Sequence, residues 1–135
     1  MSMKMYYPEL AEIVRRDPRY ALEAYDFMFE ALRHTQKLLG RLPSGEGDEP
    51  RHVSGQELVM GIRDYALREF GLMARTVFHM WGIDRTDDFG EIVFNLIESN
   101  LMRKTDQDLR DDFHNIFDLD KALMAGYEIT LEQEE

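Results

Sequence analysis

The sequence predicts a mainly α-helical, compact single-domain bundle, and three observations carry the prediction. Ser54-Gly55-Gln56-Glu57 has the form of a capping box. In it the Ser hydroxyl and the Glu carboxylate each accept a backbone N–H that a helix start leaves unpaired, with Val53 and Leu58 placed as a hydrophobic staple. Gly71 and Gly82 stand where left-handed C-caps end two successive helices, and Thr86 ahead of Asp87 and Asp88 reads as the cap and acidic first turn of a third. Apolar residues at helical spacing flank these markers on both sides.

In chain order, Pro8 suits the first turn of a short helix carrying Leu10, Ala11, Ile13 and Val14, which ends near Arg16 because Asp17 precedes Pro18. Asp17 is then placed to cap a second helix with Pro18 at its first position, running to about Leu39. Its main stripe is Ala21, Tyr25, Met28, Leu32 and Leu39, with Tyr20, Ala24, Phe27 and Ala31 beside it. Residues 40–52, rich in Gly, Pro and charge, read as an exposed loop.

The helix after Ser54 places Leu58, Ile62, Tyr65 and Ala66 inward and lets Asp64 pair with Arg68 outside. The next, Leu72 to Trp81, is apolar on nearly every side, which predicts a central position. The helix from Thr86 turns Phe89, Ile92, Val93, Leu96 and Ile97 inward and stops at Asn100. Gly61 and Gly90 inside helical patterns each cost about 1 kcal/mol relative to Ala, which a close crossing by another helix would explain. Beyond Asn100 two readings compete. Either Thr105 caps a further helical turn through Leu109, Phe113, Ile116 and Phe117, or a small winged-helix-like β-hairpin forms near residues 101–118. Asp118 or Asp120 caps a last turn through Ala122 and Leu123. The domain is read as residues 1–125, followed by an acidic, frayed tail over 126–135.

A chain of 135 residues suits one domain, able to bury about 65–70% of the surface its unfolded form exposes. With no Cys, disulfides, thiol catalysis and thiolate metal sites are all excluded. The N-terminal stretch lacks the apolar core of a signal peptide, and no apolar run approaches the ~20 residues needed to span a bilayer, so a cytoplasmic protein with no membrane partner is expected. The net charge of −11 divides as −2 over residues 1–50, −1 over 51–104 and −8 over 105–135. Binding to nucleic acid draws on concentrated Lys and Arg, so this balance makes nucleic acid an unfavoured partner.

Asp26, Glu30 and His34 fall at i, i+4 and i+8, placing two carboxylates and an imidazole on one helix face as the most metal-like arrangement in the chain. Arg33 and Lys37 lie within a turn of Glu30 and would pair with it equally well, which favours a solvated charged face and no metal. His79, next to Trp81 in an apolar helix, is a polar candidate whose simpler role is a core histidine with a satisfied hydrogen bond. Asn95, between Phe94 and Leu96, is a second, with a helix-to-loop hydrogen bond as its simpler role. No P-loop, Gly-rich dinucleotide fingerprint or Ser-His-Asp order is present, so no catalytic residue and no cofactor is expected. In the winged-helix alternative Arg75, Arg85, Arg103 and Lys104 would face DNA, but Asp106, Asp108, Asp111 and Asp112 in the wing would repel phosphate.

The strings HVSGQEL (His52 to Leu58) and TDDFGEIVFNLIE (Thr86 to Glu98) resemble an uncharacterised bacterial family found mainly in planctomycetes, verrucomicrobia and relatives. The likeness extends from about Tyr20 to Leu123 and includes the Phe113 to Asp118 segment. It implies a bacterial cytoplasmic domain and assigns no activity and no functional residue.

The preferred function is therefore a non-catalytic protein–protein interaction or adaptor module. Its partner is a basic protein or a second copy of the chain, drawn to an apolar groove between helices with an acidic C-terminal rim. A winged-helix-like regulatory domain binding nucleic acid and a metal-dependent enzyme are the alternatives.

Overall fold

The computed structural model describes residues 8–41, 53–102 and 110–123. Among these the chain is mainly helical and contains no strand. It comprises α1 (Pro8–Arg16), α2 (Leu22–Leu38), α3 (Gly55–Phe70), α4 (Ala74–Met80) and α5 (Thr86–Glu98). Three-residue and four-residue 3-10 turns occupy Gly71–Met73 and Arg110–Phe113, and residues 119–123 are again helical. No helix among the described residues is long and apolar enough to cross a membrane. The expected loop beyond Arg41 and the tail over 126–135 lie outside the described residues.

The core is built on the antiparallel pair α2 and α3. Phe27 of α2 meets Phe70 and Tyr65 at ring separations of 5.9 and 5.3 Å, while near the other end of α2 Thr35 lies against Gly61. α2 is buried through Ala24, Tyr25, Phe27, Met28, Ala31 and Thr35, the face its spacing predicts, although Leu39 beyond its end is exposed. α1 packs Leu10 and Ile13 into this core. α5 contributes Phe89, Ile92, Val93 and Leu96 from the face expected of it.

The local signals at the start of α3 are realised in full. Ser54 Oγ accepts from Glu57 N at 3.1 Å, Glu57 Oε1 accepts from Ser54 N at 3.0 Å, and Val53 and Leu58 are both buried. Gly71, Gly82 and Asn100 all adopt positive φ at the helix ends where they were expected. Gly61 has its close crossing. Gly90 has a close neighbour too, but it is the Phe113 ring from the 3-10 turn and not a helix.

Four expectations are corrected. α2 begins at Leu22, not at Pro18: the Asp17 carboxylate is taken by Arg19 and Asn95, and Ala21 N–H donates to Trp81 O at 3.1 Å. Residues 17–20 thus form a turn seated on the Trp81-Gly82 corner, where a Cβ on Gly82 would stand 2.1 Å from Arg19 O.

Thr86 is the first residue of α5 and not its cap. Its hydroxyl donates to Phe113 O at 2.7 Å and accepts from Ile116 N, and Asp88 instead receives the N–H groups of Asp84 and Arg85.

The β-hairpin near 101–118 is not supported: residues 110–113 coil as a 3-10 turn, Asn115 takes positive φ, and residues 119–123 are helical, so HNIFDL is not extended. Residues 103–109 lie outside the described residues. Thr86 accounts for the outcome, because its hydroxyl fixes both Phe113 and Ile116 against α5 where a strand would need a neighbouring strand.

α4 is not central. It buries Ala74 and Phe78 and half-buries Val77 and Trp81, while Leu72, Met73 and Met80 are 54%, 57% and 75% exposed.

Candidate functional site

Among the described residues the exposed large hydrophobic side chains are Leu38, Leu39 and Met60 at α2 and α3, and Leu72, Met73 and Met80 on α4 and its entry turn. Gly71 ends α3 with φ 53°, a conformation that L side chains rarely adopt, and the 3-10 turn that follows redirects the chain into α4. Phe78 then anchors α4 in a ring cluster with Phe27, Trp81 and Phe89 at 5.5, 6.2 and 5.6 Å. Once Phe78 points inward, helical geometry sends Met73, Thr76 and Met80, at i, i+3 and i+7, to the opposite side.

Charged groups border this face. Arg75 bonds to Asp84 at 3.0 Å, to Asp120 and to Ile83 O at 3.1 Å, tying residues 119–123 to α4. Arg63 of α3 holds the same short helix through Ala122 O at 3.1 Å, and Asp118 caps it through Lys121 N. His79 Nδ1 lies 2.7 Å from Asp84. His79 and Arg75 together hold the Asp84 carboxyl below the usual carboxylate range. His79 is therefore a surface residue, with its side chain 72% exposed, and the expectation of a core histidine is corrected. Four apolar neighbours in sequence suggested burial, but on this short helix they divide between two opposite faces.

The remaining sequence candidates sit elsewhere and apart. Asn95 donates to Asp17 Oδ2 at 2.9 Å and to Tyr25 OH at 3.0 Å, so it joins α5 to the α1–α2 turn and to α2. Asp17 also accepts two bonds from the Arg19 guanidinium, at 2.8 and 2.7 Å, and Arg19 reaches Glu91 at 3.2 Å. The Arg19 bonds, followed by the one from Asn95, hold Asp17 well below the ordinary carboxylate range despite its partial burial. Burial raises the Tyr25 phenol, and burial together with donation to Asp88 at 2.6 Å raises Tyr20 far more. Held neutral in this way, Tyr20 donates to Asp88, Tyr25 accepts from Asn95, and both rings fill the core.

His34 turns to α3, where its Nε2 lies 2.7 Å from Asp64, and Arg68 meets the same carboxylate oxygen at 2.8 Å in the pairing expected of Asp64 and Arg68. Burial opposes the charge on Asp64, but the His34 and Arg68 bonds outweigh it and its pKa is lowered. Asp26 and Glu30 remain half-buried on α2, and no group of three potential ligands that could hold a metal ion is found among the described residues, Asp26, Glu30 and His34 included. His114 completes the set, 2.6 Å from Asp87 at the start of α5, with Asn115 N donating to the other oxygen of Asp87.

Every described histidine thus faces one aspartate. An imidazole–carboxylate pair has the parts of a general base, but acyl transfer also needs a hydroxyl or thiol within reach of the imidazole. Here each pair joins two segments: His34–Asp64 joins α2 to α3, His79–Asp84 joins α4 to its following loop, and His114–Asp87 joins the 3-10 turn region to α5. These contacts between elements are what sequence reasoning missed. All three partners are carboxylates remote from, or only loosely spaced to, the histidines they meet, so no local motif announces them.

No family model, no curated protein and no solved structure matches the chain.

Proposed function

We propose that this protein is a non-catalytic protein–protein interaction module of the bacterial cytoplasm whose partner is basic and docks on α4. The observation that carries the reading is the exposure of Leu72, Met73 and Met80 together on one short helix and its entry turn. Surface hydrophobes scattered singly need no explanation, whereas a cluster of large ones marks an interaction surface. Each is more than half exposed, so full coverage by a partner is worth about 1–2 kcal/mol apiece. Two of the three are methionines, whose unbranched, polarizable side chains adapt to a partner's shape.

The polar groups support the same reading from the other side. His34, His79, His114 and Asn95 each spend a hydrogen bond on another segment of the fold, which suits a scaffold. The charge of −8 over residues 105–135 favours a basic partner. The lack of cysteine fits a reducing compartment, and the resemblance of His52–Leu58 and Thr86–Glu98 to a bacterial family supplies the setting.

A photo-crosslinking residue placed at Thr76, in the middle of the α4 face, tests the proposal in cells. The expected result is a discrete adduct of higher mass that is absent when the same residue replaces Glu12 on the exposed side of α1. Identical adduct patterns from positions 76 and 12 overturn it.

A further inference from the structure

We infer that the surface between α3 and α5 is a binding site for a linear peptide, filled here by the chain's own residues 113–123. Its ligand is a peptide with Phe followed three and six residues on by apolar side chains. This site stands apart from the outward face of α4, so it goes beyond the docking proposed there and does not rest on it.

The helices hold the segment largely by its backbone. Thr86 Oγ1 donates to Phe113 O at 2.7 Å and accepts from Ile116 N at 3.0 Å. Asp87 Oδ1 accepts from Asn115 N at 3.0 Å, and Arg63 Nε donates to Ala122 O at 3.1 Å. Side chains of α3 and α5 thus reach main-chain atoms at four positions of the segment. Among the described residues no backbone–backbone hydrogen bond joins residues 113–123 to the rest of the molecule, whereas the turn before α2 is joined to Trp81 by one from Ala21 N. Bonds to the main chain that hold, with pockets for side chains that select, are the means by which folded domains take peptides.

The selecting pocket is made by two glycines. The Phe113 ring lies against Gly55 at the start of α3 and Gly90 in α5, and Phe113 is only 2% exposed. A Cβ at either glycine would stand 3.1 Å from a ring carbon, closer than ordinary van der Waals contact. Gly90 weakens its helix relative to Ala, and the ring occupies the space its missing side chain leaves. Ile116 is half-buried and Leu119 buried, at three and six residues beyond Phe113, while His114, Asn115 and Asp118 between these anchors are exposed.

A fluorescent synthetic peptide of residues 112–123, DFHNIFDLDKAL, tests the inference against the full chain. The receiver is the Phe113→Ala variant, whose own segment no longer fills the glycine pocket. Anisotropy reports binding and circular dichroism reports the fold. The peptide is expected to bind one to one, at least about tenfold tighter than the same peptide with Ala in place of its first Phe. Methylating the peptide nitrogen that corresponds to Ile116 removes the N–H that Thr86 accepts and is expected to cost about tenfold. The parent chain, whose site is filled by a tethered copy, is expected to bind at least about tenfold more weakly than the variant. The peptide has three Asp and one Lys and the chain a net charge of −11, so bulk charge attraction does not produce binding.

Equal binding of the Phe and Ala peptides, of the plain and methylated peptides, or by the parent and variant chains overturns the inference. So does the absence of binding by a receiver that keeps its helical spectrum. If Phe113→Ala loses that spectrum, Phe113→Leu, which keeps an apolar side chain over the glycines, takes its place with the same ordering expected. Loss of the spectrum in both variants makes residues 113–123 a part of the core that the helices cannot stand without, and overturns the inference as well.

Discussion

Gly61 of α3 lies so close to Thr35 of α2 that a Cβ at position 61 would stand 1.7 Å from the Thr35 hydroxyl oxygen and 2.7 Å from its Cβ. Thr35 cannot withdraw, because it is buried and its hydroxyl donates to Ala31 O at 2.7 Å. The glycine sets how near α2 and α3 approach. Gly61→Ala gains about 1 kcal/mol of helix propensity but forces apart the two helices on which the core is built, at a cost of the order of 1–3 kcal/mol or more. A net loss of stability is expected in urea denaturation, and it should shrink in a Thr35→Gly background. A Gly61→Ala variant as stable as the parent would mean that the helices are not in this register.

Asn95 carries a second expectation. Replacing it with Ala strands the Tyr25 hydroxyl, on a residue with no exposed surface, and removes one donor from Asp17. A loss of about 1–3 kcal/mol is expected in denaturant midpoints. Asn95→Asp should cost more at neutral pH, since it sets a carboxylate against the Asp17 carboxylate. That repulsion raises the pKa of the pair in the folded protein. The added penalty is accordingly absent below the unfolded carboxylate pKa of about 4 and appears as pH rises through it, so the gap between Asn95→Ala and Asn95→Asp should close in acid.

What the sequence disclosed and what it withheld divide by range. The Ser54–Glu57 box, the Asp64–Arg68 pair and the positive-φ stops at Gly71, Gly82 and Asn100 are interactions within a few residues, and all are present. Asp17 and Thr86 were equally good caps on local grounds. Thr86 was lost to a partner far along the chain, Phe113, and Asp17 to Arg19 two residues on together with the distant Asn95. The α4 segment failed differently: a helix apolar on all sides reads as buried on all sides, and only the packing of Phe78 against Phe27 and Phe89 decides which face turns to solvent. The acidic excess of residues 105–135 was legible as charge, whereas the Arg75 bonds that bring Asp84 and Asp120 to α4 were not.

Thr86 holds the 3-10 turn region to α5 with a hydroxyl that donates to Phe113 O and accepts from Ile116 N. Thr86→Val keeps the shape and loses both bonds in a fully buried site, at a cost of about 1–3 kcal/mol. Thr86→Ser should restore most of it. Hydrogen exchange separates local from global loss: the Ile116 amide is expected to lose protection in the Val variant well beyond the Ile62 amide in α3. Equal acceleration at both amides would mean that the turn is not a locally held unit.

Glu57 links the α3 cap to pH. Its carboxylate accepts from Arg41 at 2.6 Å and from the Ser54 backbone N–H at 3.0 Å, and these bonds, Arg41 first, bring its pKa down to about 2. An unfolded Glu titrates near 4.3, so the folded state favours the charged form. The stabilisation is fully present above that unfolded value and is lost as pH falls from about 4.5 towards 2. Both side chains of the Arg41–Glu57 pair are about one-third exposed, so solvent and salt screen it and its contribution is that of a weak surface pair. Glu57→Gln keeps the reach to Ser54 N and removes the charge. It is expected to lower stability slightly at pH 7 and to make the decline between pH 4.5 and 2 shallower by the same amount, so that the variant and parent curves converge near pH 2. Parallel curves across that window would show that the Glu57 carboxylate is not held in the cap, and would dissociate Arg41 from the start of α3.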